Sequence, residues 1–260
     1  MPYETLKLDY IGAVATLTLD RPEKRNAISR LMIEELVAAL LEVESSPARV
    51  LILTGAGEAF CSGMDIGELR ALTMQSPEES VEDSRRIAKL FRLLHNFSKP
   101  YIAAVNGTAV AGGCGIATLA DFTIAAPEAK FGYPEARIGF IPAIVSVFLV
   151  RQIGEKRARD LLLSGRVINA EQACQIGLVN EVVPRERLLD RARELAAQLL
   201  ALSPTSLLFT KRLLRDYSEA QIARELELAV QANARIRSTA DFREGVTAYL
   251  EKRKPRWGGQ

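Results

Sequence analysis

Three short stretches of the chain combine glycine with residues that could take part in catalysis. They are residues 59–66 (AFCSGMDI), 106–115 (NGTAVAGGCG) and 131–142 (FGYPEARIGFIP). Where a strand ends at a glycine and a helix begins, backbone N–H groups are free of intrahelical partners, and they bind anionic or polarised oxygen. One amide from each of the first two stretches could therefore stabilise an oxyanion or enolate. The second stretch taken alone is equally consistent with a tight packing turn that binds no ligand.

The third stretch supplies an acid, Glu135. This residue follows Pro134 and precedes the apolar Ile138 and Phe140. Apolar surroundings raise the pKa of a carboxyl group, which suits a general acid–base that must exchange a proton near neutral pH. The alternative interpretation is a salt bridge between Glu135 and Arg137.

Other catalytic chemistries lack the residues that they need. His95 is the only histidine, and Cys61, Cys114 and Cys174 are odd in number and far apart. We therefore expect no metal site, no disulfide framework and reduced thiols. Residues 106–115 also lack the Gly-Lys-Ser/Thr of a phosphate-binding loop and the Gly-x-Gly-x-x-Gly of a dinucleotide site.

An α/β scaffold is expected to position these stretches. In the first half, short apolar runs such as Val50–Thr54 and Tyr101–Val105 alternate with amphipathic runs such as 34–44 and 79–97. Beyond residue 183 the pattern is helical with short breaks. We predict an α/β core over residues 1–200 and a helical region over 201–260 that caps the core or packs against another subunit.

Charge and hydropathy narrow the classes of partner. The 34 Lys and Arg residues against 32 Asp and Glu leave a net charge of +2, a balance that is not typical of a nucleic-acid binder. The apolar runs Ala13–Leu19 and Ile138–Val150 are too short or too broken to span a bilayer, and the N-terminus has no basic-then-apolar leader. We expect a cytoplasmic protein with no nucleic-acid or membrane partner.

Four motifs in sequence order resemble those of the crotonase (enoyl-CoA hydratase/isomerase) superfamily: 21–27 (RPEKRNA), 60–65 (FCSGMD), 106–113 (NGTAVAGG) and 131–135 (FGYPE). Each motif alone is weak, but together they cover nearly the whole chain. The resemblance implies a ββα-spiral core with a helical C-terminal trimerisation region, assembled as a homotrimer or as a hexamer. It also implies an acyl-CoA thioester substrate, so that coenzyme A is part of the substrate and no separate cofactor is needed.

The resemblance further implies roles for individual residues. The oxyanion-hole donors fall on the N–H groups of Met64 and Gly112, which would hold the thioester carbonyl beside Glu135. The basic C-terminus, at Lys252 or Arg253, would reach the nucleotide end of CoA or would form a solvated helix face. The substrate-binding positions that the resemblance implies are Lys24, Arg25, Ala27, Asp65, Ile66 and Gly115.

Two departures from the family pattern bear on the reaction. Classical hydratases carry two glutamates, and here only Glu135 is present, because Gly115 occupies the position of the other. The segment Pro142–Ser146 (PAIVS) replaces the family's Pro-Gly-x-Gly-Gly and would narrow or reshape the acyl pocket. We expect Ser146 to be an ordinary helix serine; the alternative is that it holds a water in place of the missing carboxylate.

Three functions remain open for a protein with these residues. Family prevalence favours reversible hydration of a 2-enoyl-CoA to a 3-hydroxyacyl-CoA. A lone carboxylate is sufficient for a Δ3,Δ2-enoyl-CoA isomerase, in which Glu135 moves a proton between carbons 2 and 4. The third alternative is an altered homologue that binds acyl-CoA without turnover.

Overall fold

A computed structural model describes residues 3–259, with the side chain of Ile66 outside the description. The strands form two sheets. The larger sheet has six strands in the order β1 (Leu6–Ile11), β2 (Val14–Leu19), β3 (Val50–Gly55), β5 (Tyr101–Val105), β7 (Phe122–Ala125) and β10 (Glu181–Val182). The smaller sheet has four strands in the order β4 (Ala59–Cys61), β6 (Thr108–Val110), β8 (Lys130–Gly132) and β9 (Val167–Asn169).

Successive strands alternate between the two sheets. β3, β5 and β7 are parallel neighbours in the larger sheet, and β4, β6 and β8 are parallel neighbours in the smaller one. Each turn of the chain therefore adds one strand to each sheet before the next helix begins. This arrangement is the ββα spiral that the sequence motifs predict.

The helices lie outside the sheets and in the C-terminal region. Short 3-10 segments occur at Pro22–Lys24, Pro134–Ile138 and Arg185–Arg187. The α-helices are α1 (Arg30–Ser45), α2 (Ile66–Leu72), α3 (Pro77–Asn96), α4 (Gly112–Thr118), α5 (Ala143–Ile153), α6 (Glu155–Ser164), α7 (Ala170–Gln175), α8 (Leu188–Leu200), α9 (Pro204–Asp216), α10 (Glu219–Ile236) and α11 (Ala240–Leu250).

Local sequence explains where the two long N-terminal helices begin. The Ser29 side chain accepts a hydrogen bond from the Met32 amide at 3.2 Å and so caps α1. α3 begins two residues before the predicted start at 79, because Ser76 and Glu79 form a capping box around Pro77. The N-terminus of α1 lies at the site described below, because Ser29 and Arg30 line its cavity.

The main core includes residues from both halves of the chain. Leu36 and Leu40 of α1 belong to the same buried cluster as Ile222 and Leu226 of α10. α9, in contrast, has no buried residue. The division at residue 200 stays a prediction. Within residues 3–259, none of the helices combines the length and the apolarity that crossing a bilayer requires.

Candidate active site

The three glycine-containing stretches meet at one edge of the smaller sheet. β4, β6 and β8 run parallel to one another, so the segments that follow them leave the sheet on the same side. The segment after β4 carries Met64, the segment after β6 carries Gly112, and the segment after β8 carries Glu135. The Ala111 amide donates to the Gly132 carbonyl at 2.9 Å, which ties the second segment to the third.

The Met64 and Gly112 amides each follow a residue with positive φ. Gly63 has φ +88°, and Ala111 has φ +53° and ψ −130°, a conformation that is strained for alanine. A Cβ placed on Gly63 would lie 3.1 Å from the Ala111 Cβ, so the two loops touch immediately before the two amides. Within residues 3–259 neither amide donates a hydrogen bond. Two free N–H groups on touching loops can form an oxyanion hole.

A hydrogen-bonded network fixes the Met64 loop. Ile28 pairs with Met64 in an isolated parallel bridge. The Asp65 carboxylate caps α2 with one oxygen and pairs at 2.9 Å with Arg21 through the other. Arg21 also donates to the Ala27 carbonyl at 2.7 Å. Asp65 and Ala27, both predicted to bind substrate, are thus part of the framework that holds the loop.

Glu135 is buried and has no ionic partner in the described chain. Its side chain is 8% exposed, and Oε2 forms no hydrogen bond with the described residues. Burial raises the pKa of Glu135 from 4.5 to about 7, and a backbone hydrogen bond offsets part of this effect. The alternative salt bridge with Arg137 is absent: Oε2 of Glu135 has no partner among the described residues, and Arg137 is exposed to solvent.

Gly115 occupies the place where classical hydratases carry their other glutamate, and that space is filled. A Cβ on Gly115 would lie 2.5 Å from Cε1 of Phe91 and 2.6 Å from Cγ1 of Val145. Neither distance is possible for a real side chain, so α3 and α5 close the position with an apolar wall. Val145 lines the cavity described next, whereas Gly115 lies behind it. Gly115, which the resemblance places among the substrate-binding residues, does not line this cavity, and Val145 does.

A cavity of about 440 Å³ lies against Glu135, Met64 and Gly112. Most of its wall is apolar and comes from α2, from the segment after β8 and from α5, including Leu69 and Ile144. A large apolar cavity with a few convergent polar groups is the usual form of a small-molecule site. It can hold the acyl chain of a thioester whose carbonyl lies at the two amides.

The remaining predicted contacts lie near the Met64 loop. Lys24 and Arg25 are exposed in the turn that follows β2, and the Arg25 carbonyl accepts a hydrogen bond from the Ser62 amide at 3.1 Å. The side chain of Ile66 lies outside the described residues. Arg253 lines the cavity and forms ion pairs with Glu244 and Glu251.

Other reactive side chains do not contribute to this site. Ser146 donates to the Ala143 carbonyl at 2.6 Å within its own helix and does not line the cavity, as expected of an ordinary helix serine. His95 packs on Phe148 at the end of α3. Burial raises the pKa of the Cys61 thiol to about 12, which disfavours the thiolate. Within residues 3–259 no group of histidines, cysteines and acids has the arrangement of a metal site.

Two features of the site could not be predicted from the sequence motifs. Ala111 reads as an ordinary small residue, and only the backbone angles show that it directs an amide. Phe91 lies on the predicted apolar face of α3, but its contact with Gly115 depends on how α3 packs on α4. The only sequence signal for the filled space at Gly115 was a small residue at 115 together with a large one at 145.

Comparison with known proteins identifies relatives along the full length of the chain. A family model for enoyl-CoA hydratase/isomerase matches residues 10–260. A Thermus thermophilus protein, provisionally named an enoyl-CoA hydratase, is 43% identical over 95% of this chain and 98% of its own length. Crotonyl-CoA hydratase from Syntrophomonas wolfei is 37% identical over 98% of each chain. An enoyl-CoA hydratase/isomerase crystal structure from Xanthobacter autotrophicus Py2 has a TM-score of 0.88 at 31% identity, covering 96% of this chain and 97% of that one.

Proposed function

The chain belongs to the enoyl-CoA hydratase/isomerase family, and we propose that it catalyses reversible hydration of a 2-enoyl-CoA to a 3-hydroxyacyl-CoA. One observation carries the proposal: two unpaired amides on touching loops lie beside a buried carboxyl group with no ionic partner. The names of the relatives support water addition as the reaction.

The two amides act on the thioester. Its carbonyl oxygen accepts hydrogen bonds from the N–H groups of Met64 and Gly112. When a nucleophile adds at carbon 3, the π electrons of the double bond move toward this oxygen and an enolate forms. Fixed donors stabilise that charge more than the ground-state carbonyl, and one such donor contributes about 3 kcal/mol in a typical site.

Glu135 moves the proton. Its carboxylate accepts a proton from water as the water oxygen bonds to carbon 3, and the resulting carboxylic acid donates a proton to carbon 2. The enolate then returns to a thioester, so that one water has been added and Glu135 is again a carboxylate. A pKa of about 7 suits this exchange, because both protonation states are accessible near neutral pH.

Crotonyl-CoA is the substrate for a direct test. We expect loss of the conjugated thioester absorbance and formation of 3-hydroxybutyryl-CoA, identified by mass. Glu135→Gln should lower kcat by at least about 100-fold, because it removes the acid–base. Glu82→Gln, which changes an exposed carboxyl group on α3, is the matched control. Retention of hydration by the Glu135 variant would contradict the assigned role.

A second candidate, Δ3,Δ2-enoyl-CoA isomerisation, is favoured by the closed space at Gly115. Phe91 and Val145 leave no room for a second carboxylate to hold water. Glu135 alone can remove a proton from carbon 2 of a 3-enoyl-CoA and return it to carbon 4, while the same two amides stabilise the dienolate. No water is consumed in this reaction.

The two candidates differ in their products from a 3-enoyl-CoA. An isomerase converts the 3-enoyl-CoA to the conjugated 2-enoyl-CoA, and no further product forms. A hydratase acts only on the conjugated 2-enoyl-CoA, which it converts to the 3-hydroxy product. Isomerisation with no 3-hydroxy product from either substrate would reject hydration. Binding of both thioesters without any product would indicate that the third alternative, a homologue without turnover, is correct.

The exposed apolar face of α9 supports assembly of several copies. Phe209, Leu213 and Leu214 are 61%, 53% and 61% exposed on a helix with no buried residue. An apolar patch of this kind marks a protein interface, and we infer a homotrimer or a hexamer of two trimers. In sedimentation, Leu214→Asp should yield monomers, whereas Gln175→Glu, which adds the same charge at an exposed position of α7, should not. A monomeric wild-type chain would contradict the assembly.

Two expectations complete the proposal. The exposed cations Lys24 and Arg25 beside the Met64 loop should contact the CoA moiety, so that Lys24→Ala raises KM with little effect on kcat. Cytoplasmic location rests on the sequence analysis and on the thiols of Cys61, Cys114 and Cys174, which are unpaired.

A further inference from the structure

One part of the wall of the acyl cavity is polar. Asp83 of α3 and Asn233 of α10 line the cavity there, next to the apolar Ile87 and Phe140. Apolar side chains throughout the wall would suit any alkyl chain. A polar group that is left without a hydrogen bond when a ligand covers it weakens the binding of that ligand, so Asp83 and Asn233 restrict what the cavity can hold.

A buried arginine fixes both side chains from behind the wall. The Arg237 side chain is 1% exposed and does not line the cavity, and its guanidinium lies 5.9 Å from the centroid of the Phe140 ring. One terminal nitrogen of this guanidinium donates to Asp83 Oδ2 at 2.8 Å, and the other donates to Asn233 Oδ1 at 2.8 Å. Asp83 and Asn233 are therefore neighbours, because they share one guanidinium group.

The orientation of the Asn233 amide follows from these bonds. A guanidinium group can only donate, so the atom that faces Arg237 is the amide oxygen, and this oxygen also accepts from Ser84 at 2.9 Å. Within residues 3–259 the NH₂ group of Asn233 donates to no acceptor, although the residue is only 4% exposed. Asn233 thus presents an unpaired hydrogen-bond donor to the cavity that it lines.

Asp83 presents an acceptor beside this donor. Its Oδ2 accepts from Arg237, and its Oδ1 lies 3.3 Å from a terminal nitrogen of Arg86. An ionised carboxylate has about four lone-pair positions, so acceptor capacity remains after these two contacts. The polar part of the wall therefore combines a charged acceptor with an unpaired donor.

The charges of the wall favour a neutral group on the ligand. Arg237 and Arg86 already neutralise the Asp83 carboxylate, so a ligand cation would find no unpaired counter-ion there. A ligand anion would lie against Asp83, because neither arginine lines the cavity, and like charges repel strongly where water is excluded. A hydroxyl group fits both neighbours, since its one oxygen can donate to Asp83 and accept from Asn233.

α3 sets the distance between this wall and the reacting carbons. Phe91 fills the space at Gly115 near the catalytic groups, Ile87 lines the cavity one turn earlier, and Asp83 lines it another turn earlier. Asp83 and Phe91 are eight residues apart, which corresponds to about 12 Å along the helix. The polar wall therefore lies alongside the distal part of an acyl chain whose thioester is held at the two amides.

We propose that the substrate is an enoyl-CoA whose acyl chain carries a hydroxyl group at its distal end, bound between Asp83 and Asn233. This inference rests on the proposed acyl-CoA chemistry and specifies its substrate class. A methyl group in the same place would leave the Asn233 NH₂ group unpaired. The hydroxyl oxygen accepts from that NH₂ group, and the hydroxyl proton is donated to an ionised acceptor, which makes the stronger kind of hydrogen bond.

The test compares substrates of equal heavy-atom count on the intact wild-type protein. kcat/KM is measured for ω-hydroxy-2-enoyl-CoAs of several chain lengths and for the 2-enoyl-CoAs in which a methyl group replaces the hydroxyl group. At the best chain length we expect the hydroxyl compound to be preferred by at least about tenfold, the value of one hydrogen bond to a charged group. Equal or faster turnover of the methyl compound at every length would overturn the inference while leaving hydration itself intact.

A matched ω-carboxy-2-enoyl-CoA separates the hydroxyl group from polarity in general. Its carboxylate would meet the Asp83 carboxylate, so we expect its kcat/KM to be at least about tenfold below that of the hydroxyl compound. A carboxylate compound that is used as well as the hydroxyl compound would refute the chemistry assigned to this wall.

Asn233→Asp removes the donor from the wall. The aspartate keeps an oxygen for Arg237 and Ser84, so the buried network remains bonded, but it offers no N–H to the hydroxyl oxygen. The preference for hydroxyl over methyl should fall about fivefold, the value of a hydrogen bond between neutral groups. Gln231→Glu adds the same charge at an exposed position of α10 and should leave the ratio unchanged. An unaltered ratio in Asn233→Asp would contradict the assigned site.

A binding measurement separates this inference from the proposed reaction. If no enoyl-CoA is turned over, the proposed function fails, but the polar wall can still be tested. Dissociation constants of a saturated ω-hydroxyacyl-CoA and of its methyl-terminated counterpart should differ by the same tenfold in the wild-type protein. The difference should shrink in Asn233→Asp, and equal constants in the wild-type protein would reject the site.

Discussion

The Glu135→Gln variant should become more stable than the wild type as the pH rises, and it should lose most of its activity. Burial raises the pKa of Glu135 from 4.5 to about 7 in the folded chain, with no cation nearby to compensate. Between these two pH values the folded protein retains a proton that the unfolded chain has lost. The free energy of unfolding therefore falls with rising pH, and the full shift corresponds to about 3 kcal/mol.

The sign follows from which state holds the proton. Below the unfolded value of 4.5 both states are protonated, and the Glu135 carboxyl group costs little. Above the folded value of about 7 the folded protein must hold an unpaired buried carboxylate. Glutamine has no such charge, so the stability of Glu135→Gln relative to wild type should increase across this range and then stay constant.

Denaturant unfolding as a function of pH measures this difference. Wild type, Glu135→Gln and the exposed control Glu82→Gln are unfolded at a series of pH values on either side of the folded pKa. The difference between the first two should grow by about 3 kcal/mol, and the control should follow wild type. A difference that does not change with pH would show that the carboxyl group is not desolvated and would remove the basis for its role as an acid–base.

Three further predictions concern the same site. In substrate-saturation assays, kcat/KM should rise with pH through about 7, because the reaction begins with the Glu135 carboxylate; a profile that falls with pH would refute this order. Gly115→Ala should lower the free energy of unfolding by about 1–3 kcal/mol in denaturant unfolding, because its methyl group would overlap Phe91 and Val145; an unchanged stability would show that the space is open. Asp65→Ala removes a helix cap and an ion pair, and it should cost about 1–2 kcal/mol in thermal unfolding and lower kcat/KM as the Met64 loop loosens; full activity would contradict its positioning role.

The scaffold was predictable because its signals are local. The apolar run Val50–Thr54 became β3 with one residue added, and Tyr101–Val105 became β5 without change. Each of these predictions depends on residues close in sequence, whose side chains are sufficient to determine the local backbone.

The convergence of the catalytic groups could not be derived from the residues alone. Gly63 and Ala111 are separated by α2, by α3 and by two strands, and their contact depends on the pairing of β4 with β6. The family resemblance supplied Met64 and Gly112 as candidates, but it carried no information on backbone angles. Likewise, the sequence shows that Gly115 lacks a carboxylate, but not that Phe91 from α3 occupies the space.

The energetically unfavourable features of this site lie together at one edge of the smaller sheet, and the proposed substrate would relieve each of them. Ala111 is held in a strained conformation, two amides lack acceptors, and Glu135 is desolvated without a partner. None of these features stabilises the fold; each costs about 1–3 kcal/mol. In the proposed mechanism, a thioester oxygen satisfies both amides, and a proton taken from substrate or water neutralises Glu135. These groups are held together in the ligand-free protein by the parallel strands β4, β6 and β8 and by the core beneath them. The free energy that they do not contribute to folding is therefore gained in the transition state of the reaction.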